Sequence, residues 1–254
     1  MKACLVLFLL CFTTFSAVVA QAPAAAPQQE KPIPATLITV DYAFTVPAAD
    51  MAKRFGLHSM VGGSILRKNA ANVLFGVEGH FLFGNRINED SLAINLLNSE
   101  GYITGTDGLP ADVNFFLRGF RLQVKAGKLF AIGANPNSGI FVTGGAGVLQ
   151  HKIHIEDRTK SVPQITGKYR QGYDRLSNGP ALSQTIGFIN LDKNRRVNFF
   201  AALEFTQAFT KNRRALNFDT RIAETGTRLD LLFALRAGWI LPLYAHSDNR
   251  FYTH

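Results

Sequence analysis

The chain has 254 residues, enough for one large domain or two small ones. Only 18% of them are charged while 47% are hydrophobic, which excludes a disordered chain. The formal net charge of +9 points to anionic lipid headgroups or lipopolysaccharide rather than to nucleic acid, which an exported chain rarely meets.

Residues 1–20 read as a signal peptide. Lys2 is the charged start, "ACLVLFLLCF" the apolar core, and Val18 and Ala20 the small residues before cleavage. Both cysteines, Cys4 and Cys11, lie in that segment, so the mature chain is expected to hold neither disulfide nor thiol chemistry. Residues 21–35, "QAPAAAPQQEKPIPA", have the composition of a flexible leader. After them no apolar run approaches the roughly 18 residues a membrane helix needs.

From residue 36 onward the recurring signal is period two. Over 37–46, Ile38, Val40, Tyr42 and Phe44 alternate with Thr39, Asp41 and Thr45. Over 72–84, Val73, Phe75, Val77, Phe81 and Phe83 share one face, and Glu78 and His80 the other. Residues 115–127 set Phe116, Phe120, Leu122 and Val124 against Arg121, Gln123 and Lys125, with Arg118 as a blemish on the apolar face. Residues 139–149, "GIFVTGGAGVL", carry small residues on both faces and resist phasing. In 196–209, Val197, Phe199, Leu203 and Phe205 oppose Glu204, and Asn-Arg-Arg triplets flank the stretch. Residues 226–241 put Leu229, Leu231, Phe233, Leu235 and Trp239 opposite Arg228, Asp230 and Arg236.

Strands this long exceed the 5 or 6 residues usual in soluble sheets and suit a tilted membrane strand. Eight are expected, at 36–46, 57–68, 72–84, 113–128, 139–153, 180–192, 196–209 and 226–242. Short connections alternate with long ones at 47–56, 85–112, 154–179 and 210–225. The expected fold is therefore all-β: an eight-stranded antiparallel transmembrane barrel over 36–244, with short periplasmic turns, long outer loops and a periplasmic tail at 245–254.

The stretches "NRRVNFFAALEFTQAFT", "GYDRLSNG", "ALNFDT", "RLDLLFALRAGWILPLY", "SEGYITGTDGLPADVNFFLRGF" and "ANPNSG" resemble a family of uncharacterised Bacteroidetes-type outer-membrane β-barrel proteins. The resemblance covers most of 37–244, and in architecture the chain is similar to the small OmpA/OmpX-type barrels. It implies the fold and an outer-membrane location, and no activity. The ending "NRFYTH" departs from the usual terminal aromatic, a role that Phe251 or Tyr252 would fill.

An eight-stranded barrel is only wide enough for side chains to fill it, so inward charges must pair. Asp41, Glu78, His80, Arg121, Lys125, Glu204, Asp230 and Arg236 all fall on inward positions. Glu78, Arg121, Lys125, Glu204, Asp230 and Arg236 are the candidate lumen salt-bridge network. Such a network either closes and stiffens the barrel or lines a narrow path for water or small ions.

Enzymatic candidates are weak. His58 and Ser59 are adjacent and so point to opposite faces, and His151 and His154 also split across a strand. No catalytic residue, metal site or cofactor is expected. In the loops, Asp90, Leu92 and Leu96 ahead of Gly101 suggest a short helix over the barrel mouth. The basic, Tyr-containing stretch 157–175 suits lipopolysaccharide, sugar or protein contacts. The functional expectation is a structural or interaction role in the envelope, with outer-membrane lipid, lipopolysaccharide and an envelope protein as partners. A narrow channel and a lipid-modifying enzyme are the alternatives.

Overall fold

A computed structural model describes residues 32–133, 135–192 and 197–244. The signal peptide, most of the leader, the first Asn-Arg-Arg triplet and the tail expected at 245–254 lie outside the described residues. Eight strands follow one another around a single closed ring. They are β1 (Ala35–Ala49), β2 (His58–Lys68), β3 (Val73–Gly84), β4 (Val113–Ala131), β5 (Gly139–Asp157), β6 (Ser177–Leu191), β7 (Asn198–Asn212) and β8 (Thr227–Tyr244). Each pairs antiparallel with its sequence neighbours, and β1 also pairs with β8 along its full length, from Ala35 opposite Tyr244 to Ala49 opposite Asp230. No sheet edge is left open, which removes the usual hazard of unpaired backbone.

The alternation that defines the strands also turns the molecule inside out. Val40, Val124, Leu203, Leu235 and Trp239 are each more than 60% exposed or close to it, at 64%, 62%, 62%, 59% and 77%, and all face away from the ring. The alternate positions, including Asp41, Glu78, Arg121, Lys125, Glu204 and Arg236, are buried inside it.

Several strands run further outward than expected. In β5 the inward series continues through His151, Ile153 and Ile155, but the outward face becomes Lys152, His154 and Glu156. With polar residues outside, the apolar/polar contrast that marks a strand in sequence reverses while the ladder continues. β1 also begins one residue earlier than expected, and just before it Ile33 N donates to Asn137 Oδ1 at 2.9 Å, in the turn between β4 and β5. The unphased segment resolves as well: Phe141, Thr143 and Leu149 point inward, Ile140, Val142 and Val148 outward.

Two apolar clusters fill the ring's ends. The inner one centres on Leu37, Leu74, Leu129, Phe141 and Phe200. The outer one joins strand residues such as Met60, Leu82, Leu117 and Ile153 to loop residues Met51, Phe55, Val162, Ile165 and Tyr173. The four long loops thus fold onto the mouth as a cap. Its first piece is α1 (Asp50–Arg54), which buries Met51 and Arg54, one turn apart on one face. The helix expected within 90–100 is a single 3-10 turn, Ile94–Leu96. Asp90 does not cap it; the turn starts from Ala93 in the left-handed region at φ 56°. Ala93 N instead reaches Asp219 Oδ2 of another loop, so tertiary contact overrides the local helix signal.

Candidate functional site

The middle of the lumen is one layer of charge. Glu204 enters from β7 and meets three cations: Arg121 at 2.5 Å, Lys125 at 2.5 Å and Arg236 at 2.7 Å. Glu78 from β3 shares the same three, at 3.0, 3.1 and 2.8 Å. Asp41 from β1 accepts from Arg236 at 3.0 Å and pairs with His80 Nε2 at 2.9 Å. Three carboxylates therefore face three cations, with His80 beside Asp41. His80 Nε2 lies 2.9 Å from Asp41 Oδ2 and 3.2 Å from Arg236 Nη2, and its Nδ1 lies 3.3 Å from Arg121 Nη2. Hydroxyls complete the shell: Thr206 accepts from Arg121, and Thr185 bridges Lys125 and Glu204.

Small residues make room for this layer. Gly238 lies opposite Asp41 in the ladder, and a Cβ there would sit 2.5 Å from the Asp41 Cβ. Gly145 lies opposite Lys125, and a Cβ there would meet Ser183 Oγ at 2.6 Å and the Lys125 stem at 3.1 Å. Below the layer, Phe200 receives the Arg236 guanidinium on its ring face at 5.7 Å and meets Phe141 edge-on. A cavity of about 30 Å³ lies there, between apolar Leu37, Leu66 and Ile189 and the charged Glu78, Lys125 and Arg236.

Of the six residues expected to form the network, the structure brings five together: Glu78, Arg121, Lys125, Glu204 and Arg236. Asp230 belongs elsewhere. It points inward as expected, but six residues along β8 separate it from Arg236, a rise of roughly 20 Å. There it pairs with His151 Nε2 at 2.9 Å, accepts from Thr210 Oγ1, and lies 3.7 Å from Arg228. Asp41 and His80, two other inward residues, join the central layer as described above.

A second ionic assembly, in the cap, has no counterpart in the sequence reading. Arg54 of α1 is its hub, with a side chain only 2% exposed. It binds Glu89 at 3.1 Å and Glu224 at 2.9 Å, and donates to the Arg175 carbonyl and Ser177. Arg175 continues the chain to Glu89 at 3.4 Å and Asp219 at 2.8 Å. Arg228 closes it by binding Glu224 at 2.8 Å and the Asp50 carbonyl. All four long loops are tied together in this way. Partial burial favours the protonated form of Glu224, but Arg54, Asn212 and Arg228 outweigh it and hold its pKa at about 2.

Among the described residues no hydrogen bond joins His58 to Ser59 or His151 to His154, and His151 stands opposite Ser177 in the ladder. His58 is buried and bonds the Gly56 carbonyl, while Ser59 faces out and bonds Tyr42. His151 is buried against Asp230 and the edge of Phe55, whereas His154 lies on the outer face.

No family model matches the chain. No curated protein matches it either. Among solved structures it is similar to Ail, the attachment invasion locus protein of Yersinia pestis, at 12% identity and a TM-score of 0.41, covering 82% of this chain and 99% of that one. It is also similar to Neisserial surface protein A, at 11% identity and a TM-score of 0.44, covering 81% and 96%. A further structure of Ail, with the heparin analogue sucrose octasulfate, gives 11% and 0.39, covering 83% and 100%. The closed ring rests on this chain's own ladder, and likenesses this distant carry no functional inference.

Proposed function

We propose that the chain is an integral outer-membrane β-barrel with a structural or interaction role in the cell envelope. The observation that carries this reading is the inverted distribution of polarity: an apolar surface facing outward on every strand, and charged residues paired inside. Water on the outside of such a ring would be in contact with residues such as Leu203 and Leu235, at a cost of roughly 25 cal/mol for each Å² of apolar surface. Lipid removes that cost, and the closed ring pairs the strand backbones with one another rather than with water.

The lumen favours a closed body over a conduit. Glu78 and Glu204 each contact cations from two other strands, so the central layer spans the ring. The cap covers the outer mouth. Interaction then falls to the outside surface and the loops, with outer-membrane lipid, lipopolysaccharide and an envelope protein as the partners in view.

Two measurements test this. Purified chain in detergent should migrate differently on gels before and after boiling, and a heat-indifferent band would sink the membrane-barrel reading. In planar bilayers the protein should be electrically silent. Steady conductance that changes in Glu204→Gln would establish a channel instead. Mild detergent extraction followed by affinity capture of the whole chain would then read out an envelope partner.

A further inference from the structure

The outward face is not uniform around the ring. On the β8-β1-β2-β3 side, its upper rows are mostly apolar, with Leu229, Leu231, Val46, Phe81 and Phe83, and Ser59 and Thr227 as polar members. On the β4-β5-β6-β7 side the same level is basic. Arg118 of β4 stands directly opposite Lys152 of β5 in the ladder, both on the outside. Lys211 and Arg213 lie at the outer end of β7, where Lys211 is opposite Asn178 of β6 and Arg213 donates to the Asn178 side chain at 2.6 Å. Arg170 from the loop after β5 comes within electrostatic reach of His154, as do Arg118 and Lys152.

None of Arg118, Lys152, Arg170, Lys211 and Arg213 has a carboxylate partner within 4.0 Å among the described residues. The cap behaves in the opposite way, since its arginines are matched to acids. Glu156, the acid nearest the basic patch on the outer face of β5, is 3.9 Å from Arg158 of the following loop. Arg118 donates to the Leu117 carbonyl and Arg170 to the Ile165 carbonyl, but gathering like charges without carboxylate partners costs free energy, which a bound anion would recover.

What lies beneath the patch says which kind of anion. Arg118 packs over the Phe116 ring at 5.1 Å. Immediately below, on the same two strands, the surface is Phe120, Leu122, Val124 and Val148, all exposed. A ligand seated here meets cations at one end and an apolar wall at the other. Resting on the outer-membrane reading above, we propose that the outer face of β4 to β7 is a binding site for a phosphorylated lipid of the outer leaflet. Its phosphates would sit between Arg118 and Lys152, and its acyl chains along Phe120, Leu122 and Val148. Gln150 and Asn178, hydrogen-bonded to each other across β5 and β6, supply neutral donors between the cations for sugar or phosphate oxygens.

The test uses the full chain in nonionic detergent, titrated with bisphosphorylated lipid A and read by native mass spectrometry. The wild type should retain one lipid. The double variant R118Q/K152Q should weaken retention at least tenfold, and the charge-conserving R118K/K152R should largely restore it. Lys53→Gln, in the cap, should leave it unchanged. Equal retention of dephosphorylated lipid A, or an unaltered R118Q/K152Q, overturns the site. Competition by inorganic pyrophosphate as strong as by the lipid also overturns it, because the apolar wall would then contribute nothing. Heat-modifiable migration of the same samples separates the two readings. A chain that lacks it loses both the barrel and the lipid site, whereas a heat-modifiable chain indifferent to the phosphates loses the lipid site alone.

Discussion

The lumen layer and the outer cap are both held by ion pairs, but they are built differently. In the lumen each charge is borne by a strand, and the ladder fixes its neighbours: Arg121 is opposite His80, and Glu204 is opposite Thr185. The carboxylates there are almost wholly shielded, with side chains 0% to 4% exposed. In the cap most charges come from loops, and two of the acids stay partly wet, with Glu89 and Glu224 side chains 20% and 25% exposed, while Asp219 is buried. The difference teaches that similar chemistry at two levels of one barrel can be rigid or releasable. What decides is whether an ion that loses its partner can reach water.

Breaking the lumen layer should have the largest effect. Glu204→Ala leaves Arg121, Lys125 and Arg236 sharing fewer carboxylates in a dry interior, with an expected loss of about 3–5 kcal/mol. Urea titration of the protein in lipid vesicles measures it, and a loss below about 1 kcal/mol would show that the layer tolerates unpaired charge. Arg54→Ala in the cap should cost about 1–3 kcal/mol, since its freed acids rehydrate. It should also expose the loops to trypsin at Lys160 and Lys168 while heat-modifiable migration persists. Cleavage no faster than in the wild type would mean that the cap is held by its apolar cluster alone.

Gly145→Leu tests the room around Lys125. Overpacking there should cost about 1–3 kcal/mol, read in the same urea titration, and an unchanged midpoint would mean that the lumen has slack. Acid should separate the two regions without mutation. Glu224 has a folded pKa of about 2, below its unfolded value near 4.5, so its contribution is present above pH 4.5 and is lost as pH falls toward 2. Hydrogen exchange, corrected for intrinsic rate, should show the loops losing protection in that window ahead of the strands. Simultaneous loss would erase the distinction drawn here. The smallest effect belongs to Lys53→Ala, an exposed partner of Asp50, expected to change stability by under about 0.5 kcal/mol in urea titration.

The same contrast explains what sequence could reveal. Period two marked five of the eight strands and placed the inward charges, because strand geometry converts position directly into face. It could not assign depth. Asp230 and Arg236 look equivalent on one face of β8, yet their different heights give them different partners. Nor could periodicity find Arg54, whose Glu224 partner lies 170 residues away on a loop with no repeating pattern. The clue available was compositional: a buried-face arginine in a short helical turn, with acids scattered through loops that would converge only after the ring had closed. The outward basic residues were partly visible too. Arg118 appeared as a blemish on an apolar face, and its meaning depends on Lys152 standing beside it in the ladder.

The pairing of β1 with β8 has a consequence for how the chain is made. Asp41 meets Arg236 across 195 residues of sequence, and neither β1 nor β8 has its second neighbour until the whole ring is present. Contacts so distant in sequence make folding slow. Until they form, both edge strands offer unpaired backbone and apolar faces to any other chain. The ring closes only when β8 reaches β1, so that strand times the assembly.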